Sequence, residues 1–202
     1  LLGWSPGDDR EIMSRDEMVE AFVLEKCQSS AAQVDLKKLS WMNYEYILQL
    51  SDASFRSATR EALSVAEIAA TEEQLDAVIP LIRERVKTLA EIAPLCRFLL
   101  RDDYAYNEKA VAKKLLKEGV QETLAALREL LLEVSSFDAP TLNRLLHDYV
   151  ERSGKGFGAV MPPLRICISG EQGGPDLCPV LEVLGRDEVI RRLDRAVEMF
   201  FD

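Results

Sequence analysis

The stretch from Glu108 to Val134, EKAVAKKLLKEGVQETLAALRELLLEV, decides the fold class of this chain. Leucine, alanine, glutamate and lysine dominate it, and these residues lose little conformational freedom in a helix. The pattern predicts long leucine-rich helices interrupted at Gly119. Asn107, immediately upstream, is a candidate N-cap for the first of them.

Signals for helix starts recur along the rest of the chain. Ser14 is followed three residues later by Glu17, and Thr71 by Gln74, which is the spacing of a capping box. Pro140 suits the first turn of a helix. The apolar periodicity predicts helices over 34–50, about 54–68, 71–100 with a kink or restart at Pro80 and Pro94, 140–154 and 185–201. The chain is therefore predicted to be all-α, with almost no strand signal.

Two polar, turn-prone stretches break this pattern, SDAS at 51–54 and RDDYAYNEKA at 101–110. Such clusters between periodic segments are candidate domain boundaries. A chain of 202 residues is long enough for one large or two small domains. Its opening, LLGWSPGDDREI, lacks the features of a signal peptide and is interpreted as the interior of a longer protein.

The composition predicts a substantial core and an acidic surface. Apolar residues make up 48% and charged residues 30% of the sequence, and the net charge is −10. No apolar run approaches the ~20 residues that span a bilayer. The cysteines are scattered without a CxxC pair, which favours reduced thiols in the cytoplasm over disulfides or a zinc site. They are Cys27, Cys96, Cys167 and Cys178.

The residues that carry common enzyme chemistries are missing. The only histidine, His147, lies in a predicted helix, where a lone histidine is most often a surface or packed residue. No HExxH, Walker A or GxSxG motif occurs, and the glycine-rich segment 170–176, GEQGGPD, lacks the lysine of a phosphate-binding loop. The sequence therefore predicts no catalytic residue and no metal site within these 202 residues.

Four segments, in their order and spacing, resemble the C-terminal part of bacterial glutamyl-tRNA synthetases, a class I aminoacyl-tRNA synthetase family. They are LLGWSPGDDREIMSRDEMVEAF (1–22), DLKKLSWMNYEYI (35–47), LIRERVKTLAEI (81–92) and PPLRICISGEQGGPDLCPVLEVLGRDEVIRRLDRAV (162–197). The resemblance covers nearly the whole chain. It places the family's catalytic domain, with its HIGH and KMSKS-type signatures, upstream of Leu1.

This resemblance implies an all-α helical bundle or cage of two anticodon-binding subdomains, at 51–107 and 108–202. The end of a stem-contact fold, at 1–50, would precede them. The implied function is recognition of the tRNA(Glu) anticodon for a glutamate–tRNA ligase. The implied parent is a cytoplasmic monomer that uses ATP and Mg²⁺ and binds neither DNA nor a membrane. No cofactor is expected in this part of it.

The resemblance also assigns roles to individual residues. Arg85 matches an arginine that reads the third anticodon base, and Arg165 matches one that helps to hold the anticodon. Gly174, Pro175 and Leu177 match the loop against which the bases rest.

The local sequence predicts how this loop is built. Pro162 and Pro163 predict an extended approach to a helix that has Arg165 in its first turn. Gly170, Gly173 and Gly174 would let backbone approach an extruded base without an intervening side chain. Pro175 is expected to begin the next helix.

The chemistry of Arg85 predicts a preference between bases. A guanidinium is a donor only, whereas unpaired cytosine presents the acceptors O2 and N3 and guanine presents mostly donors on the same edge. Glutamate anticodons end in C and glutamine anticodons end in G. Arg85 should therefore favour tRNA(Glu) and penalise tRNA(Gln).

Other interpretations of the same residues remain open. Arg83, Arg85 and Lys87 could form an ordinary solvated helix face, and Arg165, Arg191 and Arg192 could pair with acids. Tyr104 and Tyr106 could stack on bases or simply pack. A protein-interaction scaffold of bundled helices would explain both the acidity and the missing chemistry. A hydrolase that uses two facing carboxylates is a weaker alternative.

Overall fold

In the computed structural model, which describes residues 3–8, 10–28 and 33–201, the protein is built from α-helices joined by short connections. No β-strand occurs among these residues. The all-α prediction is confirmed.

The helices follow the order of the chain. They are α1 (Arg15–Ala21), α2 (Leu36–Gln49), α3 (Asp52–Val65), α4 (Glu72–Ile82), α5 (Ile92–Leu100), α6 (Glu108–Ala110), α7 (Val120–Glu133), α8 (Ala139–Ser153), α9 (Phe157–Ser169), α10 (Leu177–Leu184) and α11 (Arg186–Phe201). Two 3₁₀ turns cover Leu24–Lys26 and Leu89–Glu91, and a π-helical turn, Val111–Leu115, extends α6.

The predicted helix starts agree with the structure. The hydroxyl of Ser14 accepts the Glu17 N–H at 3.2 Å and the Glu17 carboxylate accepts the Ser14 N–H at 2.7 Å, so this capping box is complete. Thr71 and Gln74 form the second one. Asn107 caps α6 through the N–H of Ala110.

Several predicted bounds shift in the structure. The helix expected over about 54–68 begins at Asp52, because the Ser51 hydroxyl caps it through the Ser54 N–H. Pro80 lies within α4 without ending it, and Pro94 lies in the first turn of α5. Gly119 interrupts the 108–134 stretch as predicted, with a left-handed φ of 75°.

Two clusters of buried apolar side chains hold the helices together. The first lies within 47–96, on α2 to α5, and has the fully buried Phe55 near its centre. The second lies within 98–196 and includes the fully buried Leu127 and Leu164. The clusters adjoin where α10 meets α4 and α5. Residues from both therefore meet at this junction.

Helix α9 differs from the sequence prediction. Pro162 and Pro163 lie inside it, and Arg165 is near its C-terminal end rather than in its first turn, so the predicted extended approach is wrong. Each proline removes a backbone donor and costs helix stability. Burial of α9 between α7, α11 and the π-helical turn outweighs that loss. The fully buried residues of α9 are Val160, Leu164, Ile166, Cys167 and Ile168.

Candidate functional site

Arg85 lies in a turn that follows α4, and not on a helix face. Its backbone N–H donates to the carbonyl of Ile82 at 2.8 Å, and the fully buried Val86 anchors the chain on its other side. The side chain crosses to the second cluster, where its guanidinium pairs with the carboxylate of Asp176. This pair lies at the surface, because 45% of the Arg85 and 76% of the Asp176 side chain is exposed.

Arg165 reaches the same loop from α9. Its Nη1 donates to the carbonyl of Pro175 at 2.5 Å. Among the described residues, Nε and Nη2 of Arg165 have no hydrogen-bond partner, and the side chain is half-buried. Burial, the largest effect, lowers the pKa of Arg165, while Asp176 opposes the shift and Arg85 reinforces it. The two guanidinium groups therefore share one electrostatic environment around Asp176.

Residues 174–176, at the end of the loop between α9 and α10, lie next to the two arginines. Gly174 has φ 136°, and a Cβ there would lie 3.6 Å from Nη1 of Arg165. Pro175 is buried, and Leu177, the first residue of α10, is only 7% exposed. Asp176 is the N-cap residue of α10, so the helix begins later than the prediction that placed its start at Pro175. Its carboxylate makes no capping bond and pairs with Arg85 instead.

Gly170 packs away from the two arginines. It ends α9 with φ 77°, and a Cβ there would lie 2.1 Å from the carbonyl oxygen of Ala105. Its own carbonyl accepts the N–H of Asn107 at 2.9 Å. The close approach at this glycine is therefore to the 104–107 connection of the same chain.

The alternatives for the other arginines are resolved by their contacts. Arg83 pairs with Asp52 at 2.5 Å and lies over the Phe55 ring, so it supports the first cluster. Arg191 and Arg192 both pair with Glu188.

The two tyrosines of the 101–110 stretch are packed. The hydroxyl of Tyr104 donates to the Cys167 carbonyl at 2.9 Å, and the guanidinium groups of Arg192 and Arg195 lie over its ring. Tyr106 packs against Tyr104 and Phe200.

A groove of about 600 Å³ continues from Arg165 between α8, α9 and the start of α10. Phe157, Met161 and Arg165 line it at intervals of four residues along one side of α9, and His147 of α8 lies opposite. The rings of His147 and Phe157 meet edge to face, with centroids 4.6 Å apart. Sequence reasoning missed this pairing, and it also missed Asp176, because neither contact follows from sequence spacing.

The described part of the chain contains no group of three or more His, Cys, Asp or Glu residues that could hold a metal ion. The same residues include no helix that is long and apolar enough to cross a bilayer. All four cysteines are free thiols, and burial raises the pKa of Cys96 and of Cys167 to about 12.

Comparison with known proteins identifies the class of domain to which this geometry belongs. Residues 45–197 match the family described as the anticodon binding domain. The glutamate–tRNA ligase of Porphyromonas gingivalis strain W83 is 36% identical over 199 residues, which are 98% of this chain and 39% of that protein. The glutamate–tRNA ligase of Nitratidesulfovibrio vulgaris strain Hildenborough is 38% identical over 200 residues, which are 43% of its length.

A solved structure shows the same fold. The crystal structure of a glutamate tRNA ligase from Elizabethkingia meningosepticum superposes with a TM-score of 0.81 at 30% identity, covering 99% of this chain and 39% of that one. The chain thus spans about two fifths of the length of these relatives.

Proposed function

The chain belongs to the anticodon-binding domain family, and on that premise we propose that it recognises the anticodon of tRNA(Glu) as part of a glutamate–tRNA ligase. The observation that carries the proposal is the convergence of Arg85 and Arg165 on one loop. They come from different apolar clusters, and both reach residues 175–176. Two donor-only groups at one exposed edge suit the acceptor edges of unpaired bases.

Arg85 is proposed to read the third anticodon base. Its exposed guanidinium can replace the bond to Asp176 with bonds to O2 and N3 of cytosine. Guanine would bring its N1–H and N2–H donors against the arginine donors, which leaves those donors without acceptors. Arg165, Gly174, Pro175 and Leu177 are proposed to support the neighbouring bases. Gly170 is proposed to stabilise the loop through its close packing against Ala105, and not to contact a base.

The acidity of the chain limits how RNA can bind. With a net charge of −10, the protein repels phosphate at long range, so binding must come from local contacts with bases. Asp176 adds a competing negative charge beside both arginines. We therefore expect the chain alone to bind tRNA weakly. Its main contribution to the ligase should be discrimination between tRNA(Glu) and tRNA(Gln).

The two apolar clusters support the proposed domain limits. The cluster within 47–96 fits a first anticodon-binding subdomain at 51–107, and the cluster within 98–196 fits a second at 108–202. Residues 1–50 are proposed to be the end of the stem-contact fold. For the whole ligase, we propose a cytoplasmic monomer that joins glutamate to its tRNA with ATP and Mg²⁺.

Binding to RNA hairpins tests the function. Anticodon stem–loops that differ only in C or G at the third anticodon position would be titrated with the chain and with its Arg85→Gln variant. We expect the unmodified chain to prefer C and the variant to narrow that preference. Arg83→Gln is the matched control, because Arg83 pairs with Asp52. This variant should leave the preference for C over G unchanged.

Two results would contradict the proposal. Arg85→Gln could leave the ratio of the two affinities untouched, which would remove Arg85 from base recognition. The chain could also fail to bind either hairpin at low salt while it captures proteins avidly, which is the result expected of a helical interaction scaffold.

A further inference from the structure

We infer that Asn43 and Tyr44 of α2 are positioning residues for Arg85, and that they hold it where it can distinguish C from G at the third anticodon position. This inference rests on the proposed function and adds two residues to which the family resemblance gives no role. Hydrogen bonds from α2 to the turn that carries Arg85 are the observation behind it.

The turn that carries Arg85 is bonded to α2 on both sides of that residue. The side-chain amide of Asn43 donates to the carbonyl of Lys87. The hydroxyl of Tyr44 donates to the carbonyl of Glu84 at 3.4 Å. The two bonds therefore hold the backbone immediately before Arg85 and the backbone two residues after it.

The same turn is also fixed by contacts within the first apolar cluster and its surroundings. Val86 is fully buried, and its N–H donates to the carbonyl of Ile82 at 3.2 Å. The N–H of Lys87 donates to the carboxylate of Glu91 at 2.8 Å. Since Asn43 bonds to its carbonyl, Lys87 is held through both of its backbone groups. The turn is therefore restrained from the cluster and from α2 together.

Helix α2 is itself held in the orientation that these bonds require. Ile47 is only 4% exposed in the first cluster and lies four residues after Asn43, so the two residues are on the same side of the helix. The hydroxyl of Tyr46 donates to the carbonyl of Met13 at 2.7 Å, which joins α2 to the N-terminal segment. Burial of Ile47 therefore directs Asn43 towards the turn.

Discrimination between two bases requires that the group that reads them keeps its position. An arginine side chain has several rotatable bonds, and a guanidinium that can rotate away would avoid the donors of guanine. Functional groups are selective when their supporting residues hold them to within about 0.5 Å of the productive position. The bonds from Asn43 and Tyr44 supply such support at the backbone of Arg85. They should therefore affect the ratio of the affinities for C and G.

These bonds come from outside the matched domain. Asn43 and Tyr44 precede residue 45, at which the match to the anticodon binding domain family begins. They belong to the 1–50 segment that is proposed to end the stem-contact fold. This segment would therefore contribute to the choice of base, although it carries none of the residues proposed to contact the anticodon.

A purely structural role for these side chains predicts a different result. The bonded carbonyls belong to the exposed residues Glu84 and Lys87, so water can replace the lost donors and the fold should lose little stability. The preference for C over G depends instead on where the turn lies. Positioning residues should therefore change the preference without a matching change in stability.

Titration of the C and G hairpins with α2 variants of the 202-residue chain tests the inference. Asn43→Ala should lower the C-over-G affinity ratio by about 2- to 10-fold, which corresponds to the loss of one intramolecular hydrogen bond. Tyr44→Phe should lower this ratio less, because its bond is long at 3.4 Å. The midpoint of urea unfolding, measured for each variant, should change little.

Tyr46→Phe is the matched control for Tyr44→Phe. It removes the same hydroxyl from the same helix, but this hydroxyl bonds to Met13 and not to the turn. The affinity ratio should stay unchanged in this variant. Equal effects of the two substitutions would mean that any loosening of α2 alters the preference, which contradicts a specific role for the bonds to the turn.

A double variant shows whether Asn43 acts through Arg85. If it does, Asn43→Ala should lower the affinity ratio in the unmodified chain but not in the Arg85→Gln variant, because the effects of residues that act together are not additive. Equal reductions in both backgrounds would show that Asn43 acts independently of Arg85, and would overturn the inference.

Failure of this inference and failure of the proposed function give different results. If Arg85→Gln narrows the C-over-G preference but Asn43→Ala and Tyr44→Phe leave it unchanged, the positioning role is wrong and the proposed function stands. If Arg85→Gln leaves the preference unchanged, or the unmodified chain binds neither hairpin at low salt, both are wrong.

Discussion

The guanidinium of Arg85 is paired with the carboxylate of Asp176, 91 residues further along the chain. The pair joins the turn after α4 to the start of α10, and therefore joins the two apolar clusters. It also places an acid between the two arginines proposed to bind RNA. In the proposed function, the Asp176 carboxylate competes with an RNA base for the donors of Arg85.

Replacing Asp176 with asparagine should strengthen RNA binding. The variant removes a competing partner from Arg85 and a negative charge from the neighbourhood of Arg165. An exposed pair is worth up to about 1 kcal/mol, so the affinity for the anticodon hairpin should rise by up to about 5-fold. Asp187→Asn removes the same charge from the first turn of α11 and should have a smaller effect. Equal effects of the two variants would mean that only net charge matters.

Gly170→Ala should destabilise the fold strongly. The new Cβ would meet the Ala105 carbonyl at 2.1 Å at a residue that also has a left-handed φ. Overpacking and backbone strain together should lower the free energy of unfolding by about 2–5 kcal/mol in urea titrations. Gly154→Ala is the matched control, because its φ is similar and nothing lies within 4 Å of the added atom. It should cost about 1–2 kcal/mol, and an equal loss at both sites would exclude the clash as the cause.

Arg192→Ala should cost much more stability than Arg191→Ala, although both arginines pair with Glu188. Arg192 is 2% exposed, donates to the Ile168 carbonyl at 2.7 Å and lies over the Tyr104 ring. Its loss removes this donor from the buried Ile168 carbonyl and leaves a gap over the Tyr104 ring, so we expect the free energy of unfolding to fall by about 2–4 kcal/mol in chemical denaturation. Arg191 is exposed, and its loss should cost less than about 1 kcal/mol. Similar losses would contradict the assignment of Arg192 to the core.

The N-cap of α8 should make stability depend on pH. Hydrogen bonds from the Ser136 hydroxyl and the Thr141 N–H lower the pKa of Asp138 to about 2. Because the folded pKa is below the ordinary value of 3.8, the stabilisation is present above about pH 4 and is lost as the pH falls towards 2.

Thermal unfolding of Asp138→Ala and Asp138→Asn between pH 2 and 6 measures this effect. The Tm of Asp138→Ala should be below that of the unmodified chain at pH 6, and the difference should shrink towards pH 2. Asparagine keeps an acceptor without a charge, so the difference in Tm between the two variants should not change with pH. A constant difference between Asp138→Ala and the unmodified chain would show that the carboxylate does not contribute through its charge.

Much of the fold could be predicted from the sequence because its determinants are local. Three predicted helix caps form between residues three positions apart in the sequence. They are Ser14 with Glu17, Thr71 with Gln74, and Asn107 with Ala110. The helical pattern of 108–134 and its break at Gly119 are likewise properties of neighbouring residues. The resemblance of four segments to a synthetase family identified the class of domain, which the comparisons then confirmed.

Contacts between distant residues were decided by the tertiary structure alone. Pro162 and Pro163 look like helix breakers in sequence, yet they lie within α9, because burial of that helix outweighs two missing backbone hydrogen bonds. Asp176 meets Arg85 and His147 meets Phe157 only because packed helices bring their ends together. Local hydrogen bonding and periodicity are encoded residue by residue, whereas the partner of a charge or a ring depends on how all the helices pack, and no spacing in the sequence records that.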